Sequence, residues 1–282
     1  MLLSSLPDVM VEPIIRASLL EDLGRAGDIT SDAIIPADHI ARMDLVARQS
    51  GVVAGLDCAR LAFALMDQRL NVRPVLADGA RVEPGTVLAH VEGPGRGLLS
   101  AERTALNLLC RLSGIATATA GLVEAVSGHK AQIVCTRKTT PGLRALEKYA
   151  VRAGGGSNHR FGLDDAVLVK DNHIAIAGSV REACARVRAH AGHMVKIEVE
   201  VDTLAQLEEL LELGVDAVLL DNMSPDTLKQ AVNMVAGRMT TEASGRVNRE
   251  TAPAIAASGV DLISVGWLTH SAPILDIGLD AT

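Results

Sequence analysis

Basic side chains are concentrated in one part of the sequence. Residues 130–170 hold eight Lys and Arg against three acidic residues, although the chain as a whole has a net charge of −7. Arginine binds carboxylate or phosphate through two parallel hydrogen bonds, and lysine supplies a mobile point charge. Cations that follow apolar or glycine-rich runs therefore predict a basic pocket for a small molecule with two or more anionic groups. The residues concerned are Arg137, Lys138, His159, Arg160 and Lys170.

Acidic and small residues at other run ends predict a second half of this site. Glu200 and Asp221 end two neighbouring apolar runs, a placement that suits ribose hydroxyls or Mg²⁺, which one or two carboxylates and substrate phosphates usually hold. Ser244, Gly245 and Gly266 precede predicted helices, where backbone N–H groups attract a phosphate. Each of these residues also has a purely structural interpretation. A carboxylate at the end of a strand can cap the next helix, and a small residue there, considered by itself, indicates a tight turn.

Other polar residues have a structural interpretation. Arg144, Lys148 and Arg152 recur at helical spacing, which favours a solvated helix face, and Asp202 is expected to cap the next helix. The glycine-rich run at 153–159 could cradle a phosphate, but it matches no strict motif, and such runs are mostly flexible. Five histidines follow no metal-ligand spacing and receive no role: His39, His90, His129, His190 and His193.

Six short apolar runs supply the strands that would position these groups. Several are continuously apolar, as in parallel strands covered on both faces, and helical patterns lie between them. Polar residues gather at the carboxyl end of each run, which is the arrangement of a barrel, whereas an open sheet concentrates its site at one switch point. Only six units are visible, so we predict an open, irregular (incomplete) α/β barrel. The runs are QIVCTRK (132–138), AVLVKDN (166–172), VKIEVEV (195–201), AVLLDN (217–222), MTTEASG (239–245) and DLISVGW (261–267).

Details of this region support strand–helix repeats. Ser224 is a predicted N-cap with Pro225 in the first helical position. The string GVDAV at 214–218 is echoed by GVDLI at 259–263, and each copy is predicted to end a helix and begin a strand.

The first 110 residues follow a different pattern. Between residues 65 and 97, Asp78-Gly79 and Pro84-Gly85 turns separate short alternating strands, which predicts β-hairpins. Lipoyl and biotinyl carrier domains share this pattern but need an exposed lysine, and residues 1–129 contain none. We therefore expect a sandwich-like framework, followed by a helix over Ser100–Leu112 with a capping box at Ser100.

Composition narrows the function. The chain contains one Trp, one Tyr and two Phe, so it lacks the rings on which single-stranded nucleic acids stack, and its acidic charge opposes phosphate backbones. The four cysteines are scattered, which fits a reducing compartment without a structural metal. The first residues resemble neither a signal peptide nor a membrane span. We expect a cytoplasmic enzyme that binds neither nucleic acid nor membranes.

Seven strings, in order along nearly the whole chain, resemble the quinolinate phosphoribosyltransferase family. The resemblance implies an α/β fold with an N-terminal α/β sandwich domain over 1–112, completed by 271–282, and an open barrel domain over 113–270, assembled as a homodimer. The strings at 136–173 are the most specific. The seven are EDLGRAGDIT (21–30), SAERTALNLLCRLSGIAT (100–117), TRKTTPGLRALEKYAVRAGGGSNHRFGLDDAVLVKDNH (136–173), IEVEV (197–201), VLLDNM (218–223), EASG (242–245) and SVGWLTHSAPILDIGLD (264–280).

The resemblance also implies a reaction and a set of residues. Quinolinate and phosphoribosyl pyrophosphate (PRPP) would give nicotinate mononucleotide, pyrophosphate and CO₂, with Mg²⁺, in NAD synthesis. By motif position, the quinolinate carboxylates would be held by Arg137, His159, Arg160 and, from the partner subunit, Arg103. Lys138 and Lys170 would stabilise the pyrophosphate and ribosyl phosphate region, while Glu200 and Asp221 would bind ribose and Mg²⁺. The remaining substrate-binding residues would be Thr139, Ser244, Gly245, Arg246, Gly266 and His270.

Two positions depart from the family pattern: Trp267 replaces a small residue, and Arg246 stands where glycine is common.

Three other functions stay open. A Schiff-base aldolase would use Lys170 or Lys138, a paralogous phosphoribosyltransferase is associated with molybdenum transport, and a non-enzymatic carrier would rely on the N-terminal hairpins. The full set of quinolinate-facing cations argues against the second, and the missing N-terminal lysine argues against the third.

Overall fold

The computed structural model describes residues 3–281. Contacts group them into two units. Unit 1 contains the chain up to Ala120, Thr139–Gly155 and the segment from Leu268 onward, and unit 2 contains Gly121–Lys138 and Gly156–Trp267. The domain bounds inferred from the sequence, 1–112 and 113–270, stay a prediction.

The first elements, in chain order, are α1 (Asp8–Leu23), α2 (Ile29–Ile34), β1 (Ile40–Ala47), β2 (Gly51–Val52), α3 (Leu56–Met66), β3 (Asn71–Pro74), β4 (Arg81–Val82), β5 (Val87–Pro94) and α4 (Gly95–Ala125). They are followed by β6 (Gln132–Val134), α5 (Arg144–Ala153), β7 (Val167–Val169), α6 (Asp171–Ala177), α7 (Val180–His190), β8 (Ile197–Val201), α8 (Leu204–Leu211), β9 (Ala217–Asp221), α9 (Pro225–Val235), β10 (Thr240–Ser244), α10 (Ala252–Ala257), β11 (Leu262–Ser264), α11 (Trp267–His270) and β12 (Ile277–Ala281).

Unit 1 is built on a four-stranded antiparallel sheet in the order β12-β1-β5-β3. The predicted turns are present, since Gly79 and Gly85 both have positive φ, a conformation that glycine adopts without steric cost. The short strand β4 pairs with β2 in a separate two-stranded sheet. Alternation along β1 and β5 buries Leu45 and Leu88 completely, and both contribute to the apolar core.

Helix α4 begins earlier and ends later than the sequence predicted. Its start at Gly95 places Ser100 inside the helix, where the hydroxyl donates to Asp28 and to the Arg96 carbonyl. The predicted capping box at Ser100 is therefore wrong. Length and composition would allow α4 to cross a membrane, but 61% of its most apolar window is buried, and the core helix of a soluble protein has the same properties.

The predicted solvated face of α5 is also wrong. Lys148 is 2% exposed and Glu147 is completely buried. Glu147 accepts hydrogen bonds from the Arg111 guanidinium at 2.9 Å and from the Thr140 backbone and hydroxyl at 3.0 and 2.8 Å. Arg111 also donates to the Thr269 carbonyl at 2.6 Å. A buried carboxylate with this many donors is well compensated.

Unit 2 contains a parallel six-stranded sheet in the order β6-β11-β10-β9-β8-β7. All six predicted strands are present, and over residues 3–281 β6 and β7 remain the two edges of the sheet. The prediction of an incomplete α/β barrel is confirmed. Parallel strands place all their carboxyl ends at one edge, so the polar residues that follow them lie together.

Caps and turns fix the strand–helix connections. Helix α9 begins as predicted, with the Ser224 hydroxyl accepting from Thr227 N and Pro225 in the first position. Helix α8 is capped by Thr203 with Gln206 in a capping box, so the cap predicted for Asp202 is wrong.

The repeated Gly-Val-Asp strings have a shared structural role. Asp216 accepts from the Ile197 backbone N–H at 2.9 Å, and Asp261 accepts from the Thr241 backbone N–H at 2.9 Å. Each aspartate thus ties the start of one strand to its neighbour. Hydrogen bonding to Lys196 lowers the pKa of Asp216, which keeps that carboxylate ionised.

Candidate active site

A cavity of about 390 Å³ lies at the carboxyl ends of the unit 2 strands. Its wall is mostly polar and contains four cationic side chains together with three carboxyl groups. The lining residues are Thr136, Arg137, Lys138, His159, Arg160, Leu168, Lys170, Glu200, Leu219, Asp221, Glu242, Ser244 and Ser264.

Two guanidinium groups give the cavity an unbalanced positive charge. Arg137 follows β6, and its buried Nε has no hydrogen-bond partner among residues 3–281. Arg160 donates through Nη1 to the Ala166 carbonyl at 2.8 Å. Burial lowers the pKa of Arg160, and the charge of Arg137 lowers it further. An anionic ligand would accept a hydrogen bond from the unpaired Nε and would reduce the repulsion between the two guanidinium charges.

Carboxylates occupy the ends of the central strands. Lys170, the first residue after β7, forms a 2.8 Å ion pair with Glu200 near the end of β8. Asp221 ends β9 and accepts from the Asn222 side-chain amide at 2.6 Å. Asn222 has a φ of 52°, a left-handed conformation that few side chains tolerate and that often marks functional sites.

His159 connects the cationic wall to a buried acidic pair. Its Nε2 lies 2.8 Å from Glu198 and 3.6 Å from Glu242. Glu242 is 1% exposed, and its Oε1 has no hydrogen-bond partner in the described part of the chain. Burial raises the pKa of Glu242 to about 7, and the nearby charge of Glu198 contributes to the shift.

Eight of the residues predicted from the sequence line this cavity: Arg137, Lys138, His159, Arg160, Lys170, Glu200, Asp221 and Ser244. Gly245, Arg246 and Gly266 belong to unit 2 without lining it, and Arg103, Thr139 and His270 belong to unit 1. Within unit 1, Arg103 and His270 are exposed, and the Thr139 hydroxyl accepts from Arg144. The Trp267 indole N–H donates to the Val247 carbonyl at 2.9 Å. This hydrogen bond holds the indole in place at the position that departs from the family pattern.

Sequence reasoning assigned no role to Glu198, Glu242 and Ser264. A signal for Glu198 was present, because residues two apart on a strand share a face, and Glu198 precedes Glu200 in IEVEV. Glu242 gave a weaker signal, since a carboxylate in a strand is seldom buried. Its position opposite Leu219 of β9 depends on the sheet register.

The donor set at the ends of β8 and β9 fits a magnesium ion. Glu200 and Asp221 supply hard oxygen ligands beside a cationic pocket suited to phosphates, and Mg²⁺ commonly takes one or two carboxylates together with substrate phosphates. These two carboxylates would hold the ion.

A parallel sheet with cations and carboxylates at its carboxyl ends defines an α/β-barrel enzyme that acts on anionic small molecules. Two family models match the chain: the quinolinate phosphoribosyl transferase N-terminal domain over residues 28–113 and the C-terminal domain over residues 115–280. The chain therefore belongs to the quinolinate phosphoribosyltransferase family, and the family prediction is confirmed.

The similarity to individual relatives extends over almost the full length of this chain. The chain is 46% identical over 276 residues to a probable nicotinate-nucleotide pyrophosphorylase [carboxylating] of Bacillus subtilis, covering 97% of this chain and 94% of the relative. It is 48% identical over 273 residues to the nicotinate-nucleotide pyrophosphorylase [carboxylating] of Mycobacterium leprae, covering 94% and 95%. The crystal structure of NadC from Streptococcus pyogenes is 42% identical with a TM-score of 0.95, covering 99% of both chains.

Proposed function

We infer that this chain transfers the phosphoribosyl group of PRPP to quinolinate with decarboxylation, giving nicotinate mononucleotide, pyrophosphate and CO₂ in NAD biosynthesis. The observation that carries the inference is the cavity in unit 2, where Arg137, Lys138, Arg160 and Lys170 share a wall with Glu200 and Asp221. The cations can bind the anionic groups of the two substrates, and the carboxylates can stabilise positive charge on the ribosyl group.

Quinolinate binding is assigned to the guanidinium groups. The unpaired Nε of Arg137 and the partly buried fork of Arg160 suit the two adjacent carboxylates of a pyridine dicarboxylate, because arginine binds carboxylate bidentately. The family resemblance adds His159 and, from a partner subunit, Arg103 to this group.

Charge separation explains the remaining polar residues. Cleavage of the ribosyl–pyrophosphate bond builds positive charge on the sugar and negative charge on the leaving group. Glu200 and Asp221 would stabilise the first charge, and Lys138 and Lys170 the second, so both sets favour the transition state over the bound substrates. Mg²⁺, when bound, supplies further charge neutralisation at the pyrophosphate.

Decarboxylation needs no covalent nucleophile. Loss of CO₂ leaves an electron pair on the ring carbon beside the quaternised nitrogen, which stabilises that pair until the carbon is protonated. The protein's main contribution is therefore to align the two substrates. The 5-phosphate is assigned to the backbone around Ser244, Gly245 and Gly266, with Arg246 as a further contact. The substrate-binding roles of Thr139 and His270 come from the family resemblance alone.

The direct test is to incubate the purified protein with quinolinate, PRPP and Mg²⁺ and to measure nicotinate mononucleotide and CO₂. We expect both products in equal amounts and none when PRPP is omitted. Product from nicotinate but not from quinolinate would overturn the substrate assignment. Omitting Mg²⁺ in the presence of a chelator tests the proposed ion, and unchanged turnover would refute its role.

The aldolase alternative is tested by borohydride trapping. A Schiff base requires the free amine of a lysine, whereas Lys170 is ion-paired with Glu200 at 2.8 Å. Labelling of Lys170 by a carbonyl substrate, without any PRPP-dependent turnover, would replace the proposed function. A homodimeric assembly and a cytoplasmic location stay predictions.

A further inference from the structure

The loop between β10 and α10 (residues 245–251, the β10–α10 loop) is tied to the single tryptophan of the chain. Trp267 is half-buried at the start of α11, and its indole N–H donates to the Val247 carbonyl at 2.9 Å. Within residues 3–281 that carbonyl accepts no other hydrogen bond. The Val247 side chain is 4% exposed, whereas its neighbours Arg246 and Asn248 are exposed. Val247 is therefore the residue through which the middle of the loop is held.

The two ends of the β10–α10 loop have hydrogen bonds of their own. At the first end, the Asn222 N–H donates to the Ser244 carbonyl at 3.0 Å. Gly245 follows with a φ of 135°, and a Cβ at this position would lie 2.9 Å from Oδ1 of Asn222. At the second end, the Asn248 side-chain oxygen accepts from the Thr251 N–H at 2.8 Å. The ends are thus fixed locally, and the indole hydrogen bond holds the middle.

The middle of the loop offers hydrogen-bond donors to a ligand. The Val247 N–H donates to the Gly245 carbonyl at 2.9 Å, but the N–H groups of Gly245 and Arg246 donate to no group within residues 3–281. Both residues are exposed. Successive N–H groups in a turn form anion-binding concavities, and an arginine side chain adds a charged donor. This combination of donors suits a phosphate.

Both departures from the family pattern meet at this loop. Arg246 stands where glycine is common, and the residue that follows it, Val247, accepts the hydrogen bond from Trp267. A chain with glycine at 246 and a small residue at 267 would have neither the guanidinium nor the indole N–H. The two departures are therefore connected through one peptide group.

We infer that Trp267 is a positioning residue that holds the β10–α10 loop in the form in which Gly245 and Arg246 bind the 5-phosphate of PRPP. The inference rests on the proposed function for the identity of the ligand. A loop that is already ordered avoids the cost of ordering it on binding. The contribution of the Arg246 side chain therefore depends on the indole hydrogen bond.

W267F tests the inference, because it removes the N–H and keeps an apolar ring. We expect the dissociation constant of ribose 5-phosphate, measured by titration calorimetry, and the PRPP KM to rise about 2- to 10-fold, the effect of losing one neutral hydrogen bond. The quinolinate KM should change less than about twofold. Unchanged affinity for ribose 5-phosphate, or an equal weakening of quinolinate, would overturn the inference.

The matched control is S258A. It removes a side-chain hydrogen bond of 2.6 Å to the Ile255 carbonyl, at the end of α10 away from the loop. We expect S258A to lower the thermal unfolding midpoint while the ribose 5-phosphate affinity and both KM values stay unchanged. If W267F behaved in the same way, the indole hydrogen bond would be purely structural, and the inference would be wrong.

Replacement of one atom separates the N–H from the ring. Because the chain has a single tryptophan, incorporation of β-(3-benzothienyl)alanine replaces only this N–H with sulfur and keeps the bicyclic shape. We expect it to weaken ribose 5-phosphate as W267F does, whereas 5-fluorotryptophan, which keeps the N–H, should bind normally. Normal binding by the benzothienyl protein would refute the role of the hydrogen bond, and this comparison decides the question even if W267F unfolds.

A double-mutant cycle with R246A tests the connection between the two departures. If Arg246 acts only from a fixed loop, the double variant should bind ribose 5-phosphate no more weakly than the weaker single variant. Effects that multiply would contradict the connection. If the protein made no nicotinate mononucleotide but ribose 5-phosphate binding depended on the indole N–H, the proposed function alone would fail. Normal turnover with unchanged binding in W267F would reject this inference alone.

Discussion

Glu242 shows how strongly burial can change a single residue in this pocket. Its carboxyl group is 1% exposed, has one oxygen without a partner in the described part of the chain, and has an oxygen within 4.8 Å of a Glu198 oxygen. Burial raises its pKa from 4.5 to about 7. Because the folded state holds this proton more tightly than the unfolded state, the group costs stability as pH rises from 4.5 to 7, and the cost is constant above that range.

E242Q removes this cost. We expect the stability of E242Q relative to the unchanged protein to increase between pH 5 and pH 8 by about 2–3 kcal/mol, which is most of the free energy of the full pKa shift. Urea unfolding at pH 5, 6, 7 and 8 measures the difference. E209Q, at an exposed glutamate, is the control, and a pH-independent difference for E242Q would refute the shifted pKa.

Arg137 is the residue whose loss should separate the two substrates. R137A removes a guanidinium whose buried Nε is an unpaired donor. We expect the quinolinate KM to rise about 10- to 100-fold, the range for lost charged hydrogen bonds, with little change in PRPP binding. R137K keeps the charge but not the bidentate fork and should give an intermediate value. Steady-state kinetics with each substrate varied in turn measures this, and equal weakening of both substrates would contradict the assignment.

At the level of elements, the sequence predicted strands better than helix faces. All six predicted runs of unit 2 contain a strand. Short, mostly apolar runs between helices are typical of parallel strands that are covered on both faces. The helical spacing of Lys148 did not show that this side chain is buried, because its environment comes from distant parts of the chain. Ser100 resembled a helix start but lies within α4, since the apolar pattern continues on both sides.

The aspartates of the repeated strings offer an element-scale test. D261A leaves the backbone N–H of Thr241, a residue that is 2% exposed, without its acceptor. We expect a loss of about 1–3 kcal/mol, the cost of one buried unsatisfied donor. D261N retains an oxygen acceptor and should lose less, and D38A, at an exposed aspartate, should lose almost nothing. Chemical denaturation provides the values, and equal losses in D261A and D38A would contradict the role of the repeat.

At the level of the whole molecule, the sequence motifs predicted a set of site residues, and the structure brings part of this set to one cavity. Eight predicted residues line the cavity of unit 2, because parallel strands bring their carboxyl ends together. Arg103 is exposed on α4, and its proposed role in a neighbouring subunit depends on assembly, which strand and helix patterns do not encode.

Mixed assemblies test that role. At quinolinate concentrations well below the KM of either variant, R103A and R137A should each be nearly inactive alone. After co-expression with two different tags, the purified mixed dimer should recover about half of the full activity, because one of its two sites is intact. Activity of the purified mixed dimer is the measurement. No recovery in a dimer that is stable by sedimentation would show that Arg103 acts within its own subunit.

The strand order of unit 1 has a consequence for synthesis. Strand β1 pairs with β12, and Arg48 forms an ion pair with Asp280, so residues near position 45 gain these partners only when residues 277–281 have been synthesised. During translation, β1 would emerge early with one edge unpaired, and an exposed edge invites aggregation. A chain truncated before Ile277 should accumulate in the insoluble fraction, and adding the missing segment as a separate peptide should return part of it to solution. The four-stranded sheet of unit 1 can therefore close only after the segment that contains β12 has left the ribosome.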